Sequence, residues 1–160
     1  MKSISIVILT AVLMTIPAAA QDKAKAGTHE STIVSRWIAA WNSHDVEKLI
    51  PLFTPDLTYE DVAFAQTSHG PAELRKFIAA EFDSSPDLHV ELVNSYIQGG
   101  HGVLQWIFSG TDKTMFKTGK KFSVRGVSVL ELKNGKISHN QDYYDVATLM
   151  RQVGVLPAGQ

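Results

Sequence analysis

Acidic side chains near the end of the chain are the first candidates for chemistry. Asp142 and Asp145 lie three positions apart, around the end of a predicted strand over residues 136–144. A carboxylate partly withdrawn from water has a raised pKa and can shuttle a proton at a carbon next to a carbonyl. Strand side chains alternate between faces, so only one of the two can face a pocket without a bulge. Asp145 also has a structural alternative, because it precedes a predicted helix and can cap it.

Two further charged residues fall within predicted strands. Asp61 lies on the first strand, where it could be a second acid/base group or a charge at a pocket rim. The rim is the favoured interpretation, since acidic side chains are mostly exposed. Arg125 interrupts an apolar strand, and a buried arginine needs a carboxylate or carbonyl partner. It is expected either to orient a substrate oxygen or to form a salt bridge with Asp142, Asp145 or Glu131.

Motifs for other common mechanisms are absent from the sequence. The six histidines are scattered. His139 and Asp142 are three apart on a strand, hence on opposite faces, which argues against a metal site. The chain has no cysteine, GxSxG elbow, phosphate-binding glycine loop or dinucleotide fingerprint. We therefore predict that the protein uses no metal and no cofactor.

Hydrophobic periodicity predicts helices first and long strands afterwards. Apolar residues at i, i+4, i+7 and i+8 predict a helix over 29–43, and further helices are expected at 46–53 and from Pro71 to Ser84. A short strand is expected at 57–62. After Pro86 the period becomes 2, and the predicted elements are strands at 88–97, 103–111, 121–132 and 136–144 and a helix at 146–153. This segregation indicates an α+β fold.

Six segments in a fixed order resemble one known family. They are 41–53 (Trp-Asn-Ser-His-Asp onwards), 59–77, 86–90, 122–128, the Asn-Gly hairpin at 134–137, and 142–154 with Asp-Tyr-Tyr-Asp. The sequence resembles the SnoaL-like family, the polyketide-cyclase branch of the nuclear transport factor 2-like (NTF2-like) superfamily. The resemblance implies a cone-shaped barrel, in which N-terminal helices pack on a curved antiparallel sheet around an apolar pocket and a short C-terminal helix follows.

The resemblance also suggests roles for particular residues. Family cyclases use an aspartate as general acid/base, so Asp145 is the first candidate and Asp142 its rival. His69 precedes the third helix near the expected pocket mouth, although an ordinary loop histidine is the favoured interpretation there. The residues expected to contact substrate are Trp41, Tyr59, Asp61, His69, Trp106, Arg125 and Tyr144. Family members often form dimers through the sheet, which makes a homodimer the expected assembly.

The N-terminus has the pattern of a secretory signal. Lys2 precedes an apolar run too short to span a bilayer comfortably, and Ala18 and Ala20 suit signal peptidase, so cleavage is predicted after Ala20. The predicted organisation is a signal peptide at 1–20, a tether at 21–28, a SnoaL-like domain at 29–156 and a tail at 157–160. Without Lys2 the net charge changes from −1 to −2, which argues against nucleic acid as a partner. The expected location is the periplasm or the exterior, free of the membrane after cleavage.

Two functions remain open from the sequence. The first is cofactor-independent acid/base catalysis, of a cyclase, isomerase or hydrolase type, on a small hydrophobic carbonyl compound. The second is a non-catalytic module that binds an apolar small molecule. Export favours the second slightly, because polyketide cyclases usually work beside cytoplasmic synthases. Because a fold alone does not choose between such functions, the deciding feature is whether Asp142 or Asp145 faces a closed apolar cavity.

Overall fold

The structure is a computed structural model that describes residues 32–157. A helix over residues 32–42 (α1) leads to a short helix, Val46–Leu49 (α2), and a 3-10 turn, Ile50–Leu52. The remaining elements in chain order are β1 (Phe53–Asp61), β2 (Gln66–His69), α3 (Gly70–Ser84), β3 (His89–Gln98), β4 (His101–Thr111), β5 (Lys121–Lys133), β6 (Lys136–Tyr144) and α4 (Val146–Gln152). The predicted signal peptide and tether lie outside the described residues.

Six strands form one sheet in the order β2-β1-β6-β5-β4-β3. The strands β3 to β6 form an antiparallel meander, and β2 folds back antiparallel on β1. The chain's first strand, β1, is parallel to its last, β6, and places Asp61 beside Asp142. The sheet is therefore mixed, whereas the sequence suggested antiparallel pairing throughout. The α+β class is confirmed.

The helices bury the apolar faces that their periodicity predicted. In α1 the buried residues include Ile33, Trp37, Ala40 and Trp41, and in α3 they include Leu74, Phe77, Ile78 and Phe82. These side chains join apolar residues of the sheet in one core cluster. Burial of such side chains from water is the main source of stability for a domain without disulfides.

Polar contacts fix α1 against the sheet. Asn42, the last residue of α1, donates from Nδ2 to the carbonyl of Val90 and accepts from the Val90 amide, both at 2.8 Å. A side-chain amide can replace a neighbouring strand in this way, because it offers one donor and one acceptor. This anchor holds the tryptophans of α1 over the inner face of β3 and β4.

The structure differs from the predicted elements near Pro51 and Pro55 and at β2. The helix expected over 46–53 stops at Leu49 and tightens into the 3-10 turn that contains Pro51. Strand β1 then begins at Phe53, four residues before the predicted start, and includes Pro55. Strand β2 was not predicted, because its four residues have no apolar alternation. The predicted Asn134-Gly135 hairpin is confirmed, and both residues have the positive φ of a type I′ turn, 53° and 74°.

No helix within residues 32–157 is both long and apolar enough to cross a membrane.

Candidate active site

A small cavity of about 40 Å³ lies between the helices and the inner face of the sheet. A buried water needs roughly 10–15 Å³ measured in this way, so the cavity has room for only a few water molecules or one small chemical group. Helices α1 and α3 form one wall, and β1, β3, β4 and β6 form the other. The residues that line the cavity are Trp37, Trp41, Tyr59, Asp61, Phe77, Glu81, Val90, Trp106, Phe108, Asp142 and Tyr144.

Asp142 lies on the inner face of β6 and is 8% exposed. Its Oδ1 accepts hydrogen bonds from Ser128 Oγ at 2.6 Å and from Asn140 Nδ2 at 2.8 Å, and its Oδ2 accepts a short one from the Tyr59 hydroxyl. Burial raises the pKa of Asp142 to about 6, although these three donors favour the ionised form and oppose the rise. The carboxylate is thus poised to exchange protons near neutral pH.

The strand register explains how these partners meet. Ser128 of β5 lies directly opposite Asp142, and Asn140 lies two positions before Asp142 on the same face. The Ser128 hydroxyl also accepts a hydrogen bond of 2.9 Å from Trp106 Nε1. Trp106 can lie across β5 because its partner is Gly126, where an added Cβ would approach the indole ring to 2.1 Å. A glycine in β5 therefore positions the tryptophan that orients the serine.

Asp61 and Tyr144 form a second hydrogen-bonded pair in the cavity wall. The Tyr144 hydroxyl donates to Asp61 Oδ2 at 2.8 Å, and the amide of Phe64 donates to Asp61 Oδ1 at 3.1 Å. Burial raises the pKa of Asp61, although these donors partly offset it. Asp61 is 5% exposed, so the expectation of a charge at the rim is wrong for this residue.

Glu81 is the third carboxyl group of the cavity, and sequence reasoning missed it. It is half-buried on α3, and no described side chain donates a hydrogen bond to its carboxyl group. Burial raises its pKa to about 7, and the nearby charges of Asp61 and Asp142 add to the rise. Its position could have revealed it, since Glu81 lies seven residues after Leu74 on the apolar face of the helix.

Of the sequence-predicted contact residues, the structure brings five to the cavity: Trp41, Tyr59, Asp61, Trp106 and Tyr144. Asp142 is there too, but Asp145 is not. Asp145 is exposed and caps α4, with Oδ1 accepting from the Thr148 amide at 2.9 Å and Oδ2 from the Thr148 hydroxyl at 2.5 Å. Hydrogen bonds from Thr148 lower the pKa of Asp145, which is the opposite of the shift at Asp142.

Two other candidates lie away from the cavity. His69 is exposed at the end of β2, where its amide donates to Glu73 Oε2 at 2.8 Å. The prediction that Arg125 is buried or salt-bridged is wrong. Arg125 is exposed on the outer face of β5, and no ion pair joins it to Asp142, Asp145 or Glu131 within residues 32–157. Side chains alternate along a strand, so Arg125 faces outward while its neighbour Val124 faces inward. This alternation was not recognised in the sequence, because apolar residues lie on both sides of Arg125.

The outer face of β6 carries a separate polar pair. His139 Nε2 lies 2.5 Å from Glu60 Oε1, on the face opposite to Asp142, as strand alternation predicted. Between residues 32 and 157, no group of three His, Cys, Asp or Glu side chains converges as a metal site would require.

Comparison with known proteins identifies the family. The model of the SnoaL-like domain matches residues 34–140. The cyclase aurE of Calcarisporium arbuscula is 27% identical over 110 residues, which cover 68% of this chain and 81% of the relative.

Solved structures share the fold. A protein of ketosteroid isomerase-like fold from Catenulispora acidiphila, in complex with trimethylamine, matches with a TM-score of 0.71 and 28% identity over 76% of this chain and 92% of its own. TsrD from Streptomyces laurentii matches with a TM-score of 0.72 and 22% identity over 81% of this chain and 97% of its own. The chain belongs to the SnoaL-like domain family, whose model matches residues 34–140.

Proposed function

We propose that this protein catalyses cofactor-independent acid/base chemistry, of a cyclase or isomerase type, on a small hydrophobic carbonyl compound. One observation carries the proposal: the buried carboxylate of Asp142 lines an apolar cavity, is held by three donors and has a pKa raised to about 6. General bases act best when their pKa lies near the working pH.

In the proposed reaction, an ionised Asp142 takes a proton from the carbon next to the substrate carbonyl. The electron pair of the broken C–H bond moves into a carbon–carbon double bond, and the carbonyl oxygen becomes an enolate oxygen. In ring closure, the enolate carbon attacks a second carbonyl of the substrate, and the oxygen of that carbonyl takes the proton held by Asp142. In isomerisation, Asp142 returns the proton to a different carbon of a conjugated enolate, and the carbonyl re-forms.

The membership of the chain in the SnoaL-like family supports a reaction of this kind, because the relative from Calcarisporium arbuscula is named a cyclase. A second candidate is binding without reaction. It is favoured by the small volume of the cavity and by the relative that holds trimethylamine, a much smaller molecule than a polyketide.

The test is exchange of carbon-bound protons in D₂O, followed by proton NMR for a size series of ketones from 2-butanone to 2-tetralone. We expect the wild-type protein to accelerate exchange at the carbon next to the carbonyl for at least one member. Asp142→Asn should remove the acceleration, and Asp145→Asn, the matched control three residues away, should keep it. Equal exchange by wild type and Asp142→Asn would refute the role of Asp142 as base.

We also propose that the protein is exported and cut after Ala20. The supporting pattern is the charged and apolar start followed by small residues at the −3 and −1 positions. The N-terminal sequence of protein recovered from the periplasm or the medium should begin at Gln21. Recovery of the full-length chain from the cytoplasm alone would contradict export.

We further propose that the protein forms a homodimer through the outer face of the sheet. Tyr96, Val103 and Val129 lie in one cross-strand row on that face, and Tyr96 and Val129 are 61% and 38% exposed. Exposed apolar rows of this kind are typical of interaction surfaces. Light scattering should give twice the chain mass, and Val129→Lys should give the single chain mass.

A further inference from the structure

The titratable side chains that line the cavity are carboxylic acids or phenols. Three carboxyl groups contribute to the wall, from Asp61 on β1, Glu81 on α3 and Asp142 on β6. The two lining hydroxyls, of Tyr59 and Tyr144, already donate to Asp142 and Asp61. Among residues 32–157, no lysine, arginine or histidine lines the cavity. The negative charge that develops there is therefore not balanced by any cationic side chain in the wall.

Glu81 marks the place where this imbalance is largest. Asp142 and Asp61 each accept hydrogen bonds from neighbouring donors, whereas the carboxyl group of Glu81 has none among the described side chains. A buried charge without a partner is costly to a protein, so such a group is expected to receive one from a ligand or to bind a proton. The carboxyl group of Glu81 is thus free to pair with a ligand cation.

The rest of the wall suits a cation of a particular kind. Seven aromatic rings line the cavity, among them Trp37, Trp41, Trp106 and Tyr59. The faces of such rings attract organic ammonium groups, and aromatic cages commonly recognise quaternary ammonium ligands. A metal ion is a poor fit, because no three carboxyl or imidazole groups in residues 32–157 converge on a shared point. A space of about 40 Å³ also suits a group of a few heavy atoms.

Two indole N–H groups add a second feature to the expected ligand. Nε1 of Trp37 and Nε1 of Trp41 are buried without hydrogen-bond partners, and both rings line the cavity. Buried donors normally find an acceptor. An oxygen on the ligand could serve as that acceptor if the rings turn slightly.

We infer that the cavity binds a small organic ammonium group, preferably on a ligand that also carries a hydroxyl or carbonyl oxygen. The carboxylate of Glu81 pairs with the ammonium group, and the aromatic rings surround its alkyl substituents. This inference rests on the proposed function in one respect, that the cavity is the ligand site. It does not require a reaction there.

The test compares a cation with its neutral isostere. Choline and 3,3-dimethyl-1-butanol have the same shape and differ in a quaternary nitrogen against a carbon. Titration calorimetry on the mature protein at pH 8, with sodium chloride matching the ionic strength, should give at least tenfold tighter binding for choline, as cation–π and ion-pair contacts imply. Equal affinities, or no binding of choline, would overturn the inference.

Two variants locate the effect. Glu81→Gln should weaken choline binding by about fivefold or more and leave the neutral isostere unchanged, because only the charge is lost. Asp83→Asn, an exposed acid two positions away on α3, should change neither affinity. Unaltered choline binding by Glu81→Gln would also overturn the inference.

Lowering the pH gives an independent check on wild-type protein. The titratable groups of the wall are Tyr59, Asp61, Glu81, Asp142 and Tyr144. Choline keeps its charge at every pH, so its affinity should fall at least tenfold between pH 8 and pH 5.5 as Glu81 and Asp142 bind protons. Loss of choline binding with intact ketone exchange would refute this inference and leave the proposed reaction in place. Choline binding without ketone exchange would support this inference and refute the proposed reaction.

Discussion

Two aspartates only three residues apart lie in opposite environments, Asp142 near the end of β6 and Asp145 at the start of α4. Asp142 is buried in the cavity wall, and burial raises its pKa to about 6. Asp145 is exposed at the helix start, and hydrogen bonds from Thr148 lower its pKa. Both accept several hydrogen bonds, so the number of donors does not decide the outcome. Access to water decides it, because desolvation outweighs the donors only at Asp142.

The pH dependence of ketone exchange should show the largest effect of this difference. An ionised Asp142 is the base, so the rate should rise about thirtyfold from pH 4.5 to pH 7.5, with a midpoint near 6. NMR exchange rates across this range measure the midpoint. Asp145→Asn should keep the same profile, and a midpoint near 4 would show that Asp142 is not the titrating group.

A second prediction concerns the cost of burying Glu81. Its folded pKa, about 7, lies above its ordinary value of 4.5, so the folded state binds the proton more tightly and stability is lost as pH rises from about 4.5 to 7. Glu81→Gln should therefore raise the free energy of unfolding by about 1–3 kcal/mol at pH 8 and by little at pH 4.5. Urea denaturation at the two pH values measures the difference.

The exposed Asp83 on the same helix provides the control for that experiment. Asp83→Asn removes one acidic charge two positions away without changing the cavity. Its free energy of unfolding should change similarly at both pH values, whereas an equal pH-dependent gain in both variants would point to net charge as the cause.

A third prediction tests the support around Asp142. Ser128→Ala removes one donor to Asp142 and leaves the buried Trp106 N–H without its acceptor. The expected loss is about 1–2 kcal/mol in the free energy of unfolding. The midpoint of the exchange profile should also move to higher pH, because the ionised carboxylate loses a stabilising hydrogen bond. An unchanged midpoint would show that Ser128 supports the core and does not tune Asp142.

The sequence predicted the elements of this fold better than their pairing. Periodicity identified α1, α3 and the long strands, because an apolar face recurs at 3.6 or 2 residues wherever one face is buried. The parallel contact of β1 with β6 has no local signal, since it joins residues about 80 positions apart. The same long-range contact brings Asp61 beside Asp142 in the cavity wall, whereas the general exposure of acidic side chains had favoured a rim position.

The site was only partly predictable for a similar reason. Alternation showed that Asp142 and Asp145 could not share a face, but it could not say which of them faced inward. Arg125 was wrongly expected to be buried because it lies among apolar residues. Strand side chains alternate between two faces, and the sequence alone does not show which face a given position occupies. Glu81 was overlooked because an acidic residue next to an apolar helical face is expected at the exposed edge of that face. Only the packing shows that it lines the cavity.

The smallest expected effect is a loss of thermal stability when Asp145 is replaced. Asp145→Ala removes the cap of a seven-residue helix, so the Thr148 amide loses its acceptor. We expect the melting temperature measured by circular dichroism at pH 7 to fall by about 2–6 °C. The stabilisation depends on the charged form, whose folded pKa is lowered, so the difference from wild type should shrink as pH falls below about 4. Asp145→Asn should recover most of the loss, because asparagine also caps well. A variant that melts normally but no longer exchanges ketones would reverse the assignment of the two aspartates.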